Sequence, residues 1–238
     1  MAKNSGTTRT KRARNITTST PRALSPRAQA RAVARAFAPK FGDGNIVIPI
    51  PNSMITAFRG VRNIAGLSTI PDPALYREVK RAISRFHSKL GVRQRLVKIA
   101  DFNDNGRHYT VRWKSAIILL NRKLFSSLKE VEKRKKETYK SGWSTKTNKA
   151  AQHTVTHELA HALWNDALEG AKYDAAGREI KALFRVWKRD PDITKLGYGR
   201  YARKNATEFF AEAATKAVHG TPDYYTQRIV EIVKKYDL

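Results

Sequence analysis

Apolar residues recur at helical spacing in residues 74–90. Leu75, Val79, Ile83 and Phe86 lie three or four residues apart, which predicts a helix with one apolar face. Gly91 is predicted to end this helix, because glycine readily adopts the left-handed backbone that closes helices. Five later segments are also predicted to be helical: the highly charged 126–139, then 149–168, 174–189, 204–218 and 222–236.

Extended segments lie between the first predicted helix and the second. Residues 95–102 and 108–114 are predicted strands on either side of a hairpin-like turn at 103–106, and residues 115–120 form a further strand. An earlier short extended segment is predicted at 45–51. Since strands come first and helices follow, the sequence predicts an α+β fold in one domain.

The first 42 residues differ in composition from the rest of the chain. They carry ten Lys or Arg residues and no acid, which leaves +17 of the net charge of +27 on residues 43–238. Ser, Thr, Asn and Arg dominate residues 1–27 without apolar periodicity, and 28–38 is a short Ala/Arg-rich segment with helical potential. We therefore predict a basic, disordered arm over residues 1–42 and one folded domain over 43–238.

Such an arm is either a solvated tail or a segment that binds nucleic acid or another polyanion. Its Arg- and Ser-rich composition is also typical of a transit peptide, which we favour less. The sequence has no apolar run long enough to span a bilayer and no apolar core of a signal peptide, so neither is predicted. Localisation in a virion or in a host cytoplasm is compatible with these observations.

The strongest chemical signal is an HExxH motif at positions 157–161. On a helix, His157 and His161 lie one turn apart on the same face, so both imidazoles can bind one zinc ion. Zinc lowers the pKa of a bound water to about 7, and Glu158 is predicted to act as the general base that takes a proton from it. The neighbouring residues are apolar or uncharged, which predicts that this helix is buried.

A catalytic zinc ion needs a third protein ligand and an open position for water. The chain has no cysteine, and Ala167 occupies the place of the third histidine of a metzincin, so a carboxylate is predicted. The downstream candidates are Glu169, Asp174, Glu179, Asp190, Asp192, Glu208 and Glu212.

Glu208 and Glu212 stand four residues apart in an otherwise apolar segment. Because a buried carboxylate needs a partner, Glu208 is predicted as the third ligand and Glu212 as the acceptor of a ring N–H of a zinc-binding histidine. In the alternative interpretation, both glutamates are exposed and pair with Lys204 or Lys216.

Two tyrosines precede this segment. Tyr201 is predicted to donate a hydrogen bond to the oxyanion that develops on the attacked carbonyl; Tyr198 is the alternative donor, and simple packing in a loop is a third interpretation. His153 lies one turn before His157 and is either a spare ligand or a solvated residue near the start of the helix. We favour the solvated residue.

These motifs together resemble the gluzincin group of zinc metallopeptidases, and more narrowly the small zincin-like domains of phage and bacterial toxin proteins of the anthrax lethal factor type. The resemblance covers about residues 74–218 and rests on HExxH, the downstream EFFAEA segment and the GW loop at 142–143. Ala160 departs from the group, many members of which have glycine there. The resemblance implies a zincin-like fold with a small mixed sheet, in which residues 116–120 form an edge strand over the cleft and pair with an extended peptide substrate. It also implies zinc ligation by Glu208 and a role for Tyr201.

The sequence therefore predicts a zinc-dependent metalloendopeptidase, encoded by a phage or a bacterium, that acts on a protein or peptide. The alternative is a basic nucleic-acid-associated or virion structural protein in which the zincin domain is secondary.

Overall fold

The computed structural model describes residues 61–92, 96–102, 110–113, 117–166 and 171–238. Within them the element order is strand β1 (Val61–Ala65), helix α1 (Pro73–Leu90), strands β2 (Leu96–Phe102), β3 (Thr110–Trp113) and β4 (Ile117–Asn121), then helices α2 (Leu128–Lys140), α3 (Ala150–Asp166), α4 (Ala171–Arg189), α5 (Ala206–His219) and α6 (Tyr224–Tyr236). Short 3-10 turns lie at Leu67–Thr69 and Arg200–Arg203. The predicted α+β class is confirmed. The arm at 1–42, the segment at 45–51 and the turn at 103–106 lie outside the described residues, so those predictions stay predictions.

Helix α1 shows how local sequence produces the described elements. The Asp72 carboxylate accepts hydrogen bonds from the backbone N–H groups of Ala74 and Leu75, which would otherwise lack partners at the helix start. Its other oxygen accepts from the N–H of Leu128, which ties the starts of α1 and α2 together. Gly91 ends the helix in the left-handed conformation, as predicted.

The four strands pair in the order β1-β2-β4-β3. Strand β4 runs parallel to β2 and antiparallel to β3, and β1 is antiparallel to β2. The predicted hairpin of the second and third strands is therefore wrong, because β4 lies between them. Strand pairing joins segments distant in sequence, and a turn motif alone does not determine which strands become neighbours.

The predicted edge strand at residues 116–120 is also wrong. Strand β4 begins at Ile117 and is hydrogen-bonded on both sides, so its backbone has no free edge for a peptide substrate. In the described sheet the edges are β1 and β3. The buried side chains of β4, namely Ile118, Leu119 and Leu120, explain its central place, since a strand apolar on both faces suits the middle of a sheet.

Helix α3 lies at the centre of the helical part. It packs most extensively against α5, with α1 and α2 on its other sides. Its apolar residues are buried on every side of the helix: Val155, Leu159, Ala160, Ala162, Leu163 and Trp164. A helix surrounded in this way must also bury its polar residues, and these build the candidate site.

Candidate metal centre

Helices α3 and α5 place five ionisable side chains against one another. On α3, His153, His157 and His161 follow at intervals of four residues and are all buried, and on α5 Glu208 and Glu212 share a face. Asn205 caps α5 by accepting a hydrogen bond from the Glu208 N–H at 2.9 Å. Because buried polar groups need partners, these side chains meet in the interface between the two helices.

Three potential ligand atoms converge at the open end of this interface. The Nε2 atoms of His157 and His161 are 3.0 Å apart, and the Glu208 Oε2 lies 3.4 Å from the first and 2.9 Å from the second. We call His157, His161 and Glu208 the ligand layer. Tetrahedral zinc with ligand distances of about 2.0–2.1 Å separates its ligand atoms by about 3.3 Å, close to these values. This donor set could bind a metal ion.

A second set of contacts lies one helical turn deeper. Glu212 Oε1 is 3.2 Å from His157 Nδ1 and 3.5 Å from His153 Nε2, while its Oε2 accepts the backbone N–H of Thr145 at 2.7 Å. His153 Nδ1 is hydrogen-bonded to the Tyr139 hydroxyl at 3.1 Å. We call Glu212, His153, Thr145 and Tyr139 the support layer.

His157 is shared between the two layers, and His153, His157 and Glu212 form a second group that could bind a metal ion. In this group, however, Glu212 already accepts a hydrogen bond from Thr145 and His153 is hydrogen-bonded to Tyr139. The ligand layer is therefore the better candidate for the metal, with the support layer holding the His157 ring.

The favoured interpretation of His153 as a solvated residue is wrong. Its side chain is 0% exposed, because Tyr139 on α2 and Glu212 on α5 close over it. The alternative in which Glu212 is exposed and pairs with Lys216 is also wrong: Glu212 is 1% exposed, and Lys216 Nζ lies 2.5 Å from the Asp223 carboxylate.

The carboxylates control the charge of the histidines. Burial alone would lower the pKa of His157, but Glu208 and Glu212 outweigh it and raise this pKa to about 9. Burial also opposes ionisation of Glu208, yet His157 and His161 hold the pKa of its carboxyl below the usual range. Without metal, His157 therefore carries a proton near neutral pH, and a metal ion that binds here must displace it.

A cavity of about 260 Å³ is lined by His157 of the ligand layer and Glu212 of the support layer, and by Glu158 and Tyr201. The Tyr201 ring lies 5.8 Å from the His157 ring and 5.3 Å from the Trp143 ring, centroid to centroid. Burial, followed by the nearby Glu208 carboxylate, raises the pKa of the Tyr201 hydroxyl, which therefore stays protonated and able to donate a hydrogen bond.

The two candidate tyrosines occupy different environments. The Tyr198 hydroxyl donates to Asp223 at 3.3 Å, and its ring packs against those of Trp187 and Phe209. Tyr198 does not line the cavity, whereas Tyr201 does. Of the two, only Tyr201 is placed to meet a molecule in the cavity.

The loops that carry Tyr201 and Thr145 are fastened to each other. The N–H groups of Arg200 and Tyr201 donate to the carbonyl oxygens of Gly142 and Trp143 at 2.8 and 2.9 Å. Gly199 permits this approach, because a Cβ atom there would lie 2.3 Å from the Ser144 carbonyl carbon. One junction thus positions Tyr201 beside the ligand layer and the Thr145 N–H against Glu212.

Several residues at the site were not predicted from the sequence, namely Arg134, Lys135, Tyr139, Trp143 and Thr145. Of these residues, only Trp143 belongs to a motif noted in the sequence, the GW loop at 142–143. Comparison with known protein families, curated proteins and solved structures finds no match to this chain. No helix among the described residues is long and apolar enough to cross a membrane.

Proposed function

We propose that this chain is a zinc-dependent metallopeptidase of the gluzincin type, encoded by a phage or a bacterium, that hydrolyses a peptide bond. The observation that carries the proposal is the convergence of His157, His161 and Glu208 within 3.4 Å of one another beside a cavity that Glu158 also lines. Two imidazoles and one carboxylate match the donor set of catalytic zinc, and the cavity that His157 lines gives room for water and substrate.

A zinc ion held by these residues would lower the pKa of a water and polarise the substrate carbonyl. Glu158 follows His157 in the motif and borders the cavity, where its carboxylate can accept a proton from the attacking water and return it to the leaving nitrogen. Tyr201 would donate its hydroxyl hydrogen to the carbonyl oxygen as negative charge develops there.

The support layer would keep the His157 ring in the required orientation. Glu212 Oε1 lies 3.2 Å from His157 Nδ1, so with metal bound it would accept the Nδ1–H and leave the Nε2 lone pair for the ligand layer. The Thr145 N–H fixes the other oxygen of Glu212. Such outer partners are expected to strengthen metal binding about 10- to 100-fold.

The experiment compares the full chain with Glu158→Gln. Metal content is measured by mass spectrometry, and cleavage of a peptide library is measured with and without a chelator. We expect zinc in both proteins and a cleavage rate about 10²- to 10⁴-fold lower in the variant, because it lacks the general base. Glu137→Gln, an exposed glutamate on α2, is the control and should cleave as wild type does. Zinc-loaded Glu158→Gln that cleaves at the wild-type rate would refute the mechanism.

A second candidate function is binding to nucleic acid, and the net charge of +27 favours it. Ten of the basic residues lie in residues 1–42. Affinity for double-stranded DNA should fall steeply with salt, and removal of residues 1–42 should reduce both the affinity and the salt slope. If the shortened chain binds as tightly as the full chain, the arm has no part in binding.

A further inference from the structure

Two cations of helix α2 line the cavity together with His157 and Glu158. Helix α2 turns Val131, Arg134, Lys135 and Thr138 toward the cavity, at the spacing of one helix face. The four other lysines of this helix, Lys129, Lys133, Lys136 and Lys140, are all exposed, and Lys136 pairs with Glu132 at 3.0 Å. Arg134 and Lys135 thus lie on the buried side of a helix that has ample exposed surface for charge.

Among the residues that the structure describes, Arg134 has no partner that explains its place. Its Nη1 atom is buried and makes no hydrogen bond within the described part of the chain. An unpaired buried guanidinium N–H loses its water without compensation, which is unfavourable. A buried guanidinium N–H without a partner at a cavity wall is typical of a residue that hydrogen-bonds to a bound molecule.

Lys135 is nearly as poorly paired. Its Nζ contacts the Ser144 hydroxyl oxygen at 3.5 Å, a long and weak hydrogen bond. Burial lowers the pKa of Lys135, while the nearby Glu212 and Glu158 carboxylates favour its charged form. Glu212 is already engaged by Thr145 and His157.

We propose that Arg134 and Lys135 form an anion subsite that binds a carboxylate of the substrate next to the bond to be cleaved. The carboxylate comes either from an Asp or Glu side chain or from the C-terminus of a peptide. Leu124, Phe125 and Val131 line the same cavity and reduce the local dielectric, which strengthens the ion pair. The planar guanidinium suits a carboxylate, since it can donate two parallel hydrogen bonds. This inference rests on the proposed function, because it names the substrate class of that site.

The test measures binding to four fluorescein-labelled nonapeptide libraries, in which variable positions are drawn from Ala, Ser, Leu and Phe. Three libraries have an amidated C-terminus and Glu, Gln or Lys at the centre. The fourth has Gln at the centre and a free C-terminal carboxylate. Affinities are measured by fluorescence anisotropy with the full chain at 0.15 M salt. Metal is removed by a chelator, so that a carboxylate cannot bind zinc instead.

At least one carboxylate library should bind about tenfold more tightly than the amidated Gln library, as expected for a charge-assisted hydrogen bond. A gain with central Glu identifies an acidic side chain, and a gain with the free terminus identifies a C-terminal carboxylate. Arg134→Gln and Lys135→Gln should each reduce this ratio toward one. Lys133→Gln, which removes the same charge from the exposed side of α2, should leave it unchanged.

Charge reversal keeps the test decisive if neutral variants are poorly folded. Arg134→Glu should make the Lys library bind more tightly than the Glu library, a change of sign that misfolding does not produce. Equal binding of the carboxylate and Gln libraries to wild type overturns the proposal. An equal loss in Lys133→Gln also overturns it, because general attraction to a basic protein then accounts for the preference.

A parallel measurement separates this inference from the proposed function. The zinc-loaded wild type is incubated with a proteome-derived peptide library, and the cleavage sites are read by mass spectrometry. Zinc-dependent cleavage without enrichment of carboxylates near the cleaved bond overturns the subsite and leaves the peptidase. Arg134-dependent binding of a carboxylate library with no zinc-dependent cleavage overturns the peptidase and leaves the subsite.

Discussion

The ligand layer and the support layer each pair histidine on α3 with glutamate on α5, yet the charge states of His157 and His153 are opposite. Burial, followed by the positive charge of Lys135, lowers the pKa of His153 to about 3. One turn along α3, Glu208 and Glu212 raise the pKa of His157 to about 9. His153 is therefore neutral over the physiological range, while His157 binds a proton unless another cation replaces it.

The two layers also differ in how their polar atoms are paired. In the support layer, Glu212 accepts the Thr145 N–H and His153 is hydrogen-bonded to Tyr139, which in turn contacts the Thr147 hydroxyl at 2.8 Å. In the ligand layer, the buried Glu208 Oε2 accepts no hydrogen bond of good geometry from the described residues. The Nε2 atoms of His157 and His161 nevertheless lie within 3.4 Å of it. The Glu212 carboxylate is therefore anchored by a backbone N–H, although His153 Nε2 and His157 Nδ1, which lie 3.5 and 3.2 Å from its Oε1, make no hydrogen bond of good geometry among the described residues. The Glu208 Oε2 instead faces two imidazole nitrogens, where a metal ion can enter. The predictions below test this division.

The largest effect is expected in the support layer. Glu212→Ala removes the buried acceptor of the Thr145 N–H and the carboxylate that lies 3.2 Å from His157 Nδ1, and the free energy of unfolding should fall by about 3–5 kcal/mol, as for a broken buried ion pair. Chemical denaturation of the metal-free protein measures it. Glu137→Ala, on the exposed side of α2, should change it by less than about 0.5 kcal/mol. Equal stabilities of the two variants would show that Glu212 does not organise the interior.

The ligand layer should respond in metal affinity rather than in stability. Structural zinc sites with four ligands bind with about 10–16 kcal/mol, so one ligand accounts for roughly 3 kcal/mol. Glu208→Ala should therefore weaken zinc binding at least about 100-fold, measured by competition with a chromophoric chelator. Its metal-free unfolding free energy should fall by less than that of Glu212→Ala. Unchanged zinc affinity would remove Glu208 from the ligand set.

The sequence predicts those features of the two layers that depend on neighbouring residues in the chain. The shared face of His157 and His161 depends only on helical periodicity, and the burial of Glu212 follows from its apolar neighbours. His153 was misjudged because its burial depends on Tyr139 and Glu212, which come from two other helices. No local pattern near His153 contains that information.

The same reasoning applies to the fold and to the cavity. Helices were predicted to within a few residues, because caps and periodicity are local. The central position of β4 was missed, since it depends on pairing with two strands at once. Arg134 and Lys135 lie in a segment so charged that it predicts a solvated helix, and only the packing of α2 on α3 shows that two of its cations face inward.

The contact between the loop at Gly199 and the loop at residues 142–145 gives the third prediction. Gly199→Ala would bring a Cβ to within 2.3–2.6 Å of backbone atoms of Trp143, Ser144 and Thr145, which cannot move independently. The free energy of unfolding should fall by about 3 kcal/mol, the upper range for overpacking. Zinc affinity should fall too, because Thr145 orients Glu212. Gly66→Ala is the matched control: its Cβ would meet only the Ser68 hydroxyl oxygen at 3.5 Å, so little change is expected. Similar losses in both variants would argue against a special role for the junction.

The smallest effect concerns pH and tests the electrostatic contrast directly. In metal-free protein, His157 has a folded pKa of about 9, above the unfolded value near 6.5. Its contribution to stability is complete below pH 6.5 and is lost as pH rises toward 9. His153 has a folded pKa of about 3, so its contribution is present above pH 6.5 and is lost as pH falls toward 3. Linkage makes each change about 2 kcal/mol over two pH units.

Urea unfolding in chelator at pH 5, 6.5 and 8.5 should therefore give a maximum near pH 6.5. His157→Gln should remove most of the decrease on the alkaline side, relative to its own value at pH 6.5. His153→Gln should remove part of the decrease on the acid side, because burial also lowers the pKa of His219, to about 4, and that of His161. The titratable groups close to His157 are Glu158, His161, Tyr201 and Glu208, those close to His153 are Lys135 and Tyr139, and Glu212 lies beside both rings. If both variants change the same side of the profile, the two imidazoles share one environment and the division into layers fails. If each changes its own side, the two carboxylates keep His157 charged, while burial and the nearby Lys135 keep His153 neutral one turn away.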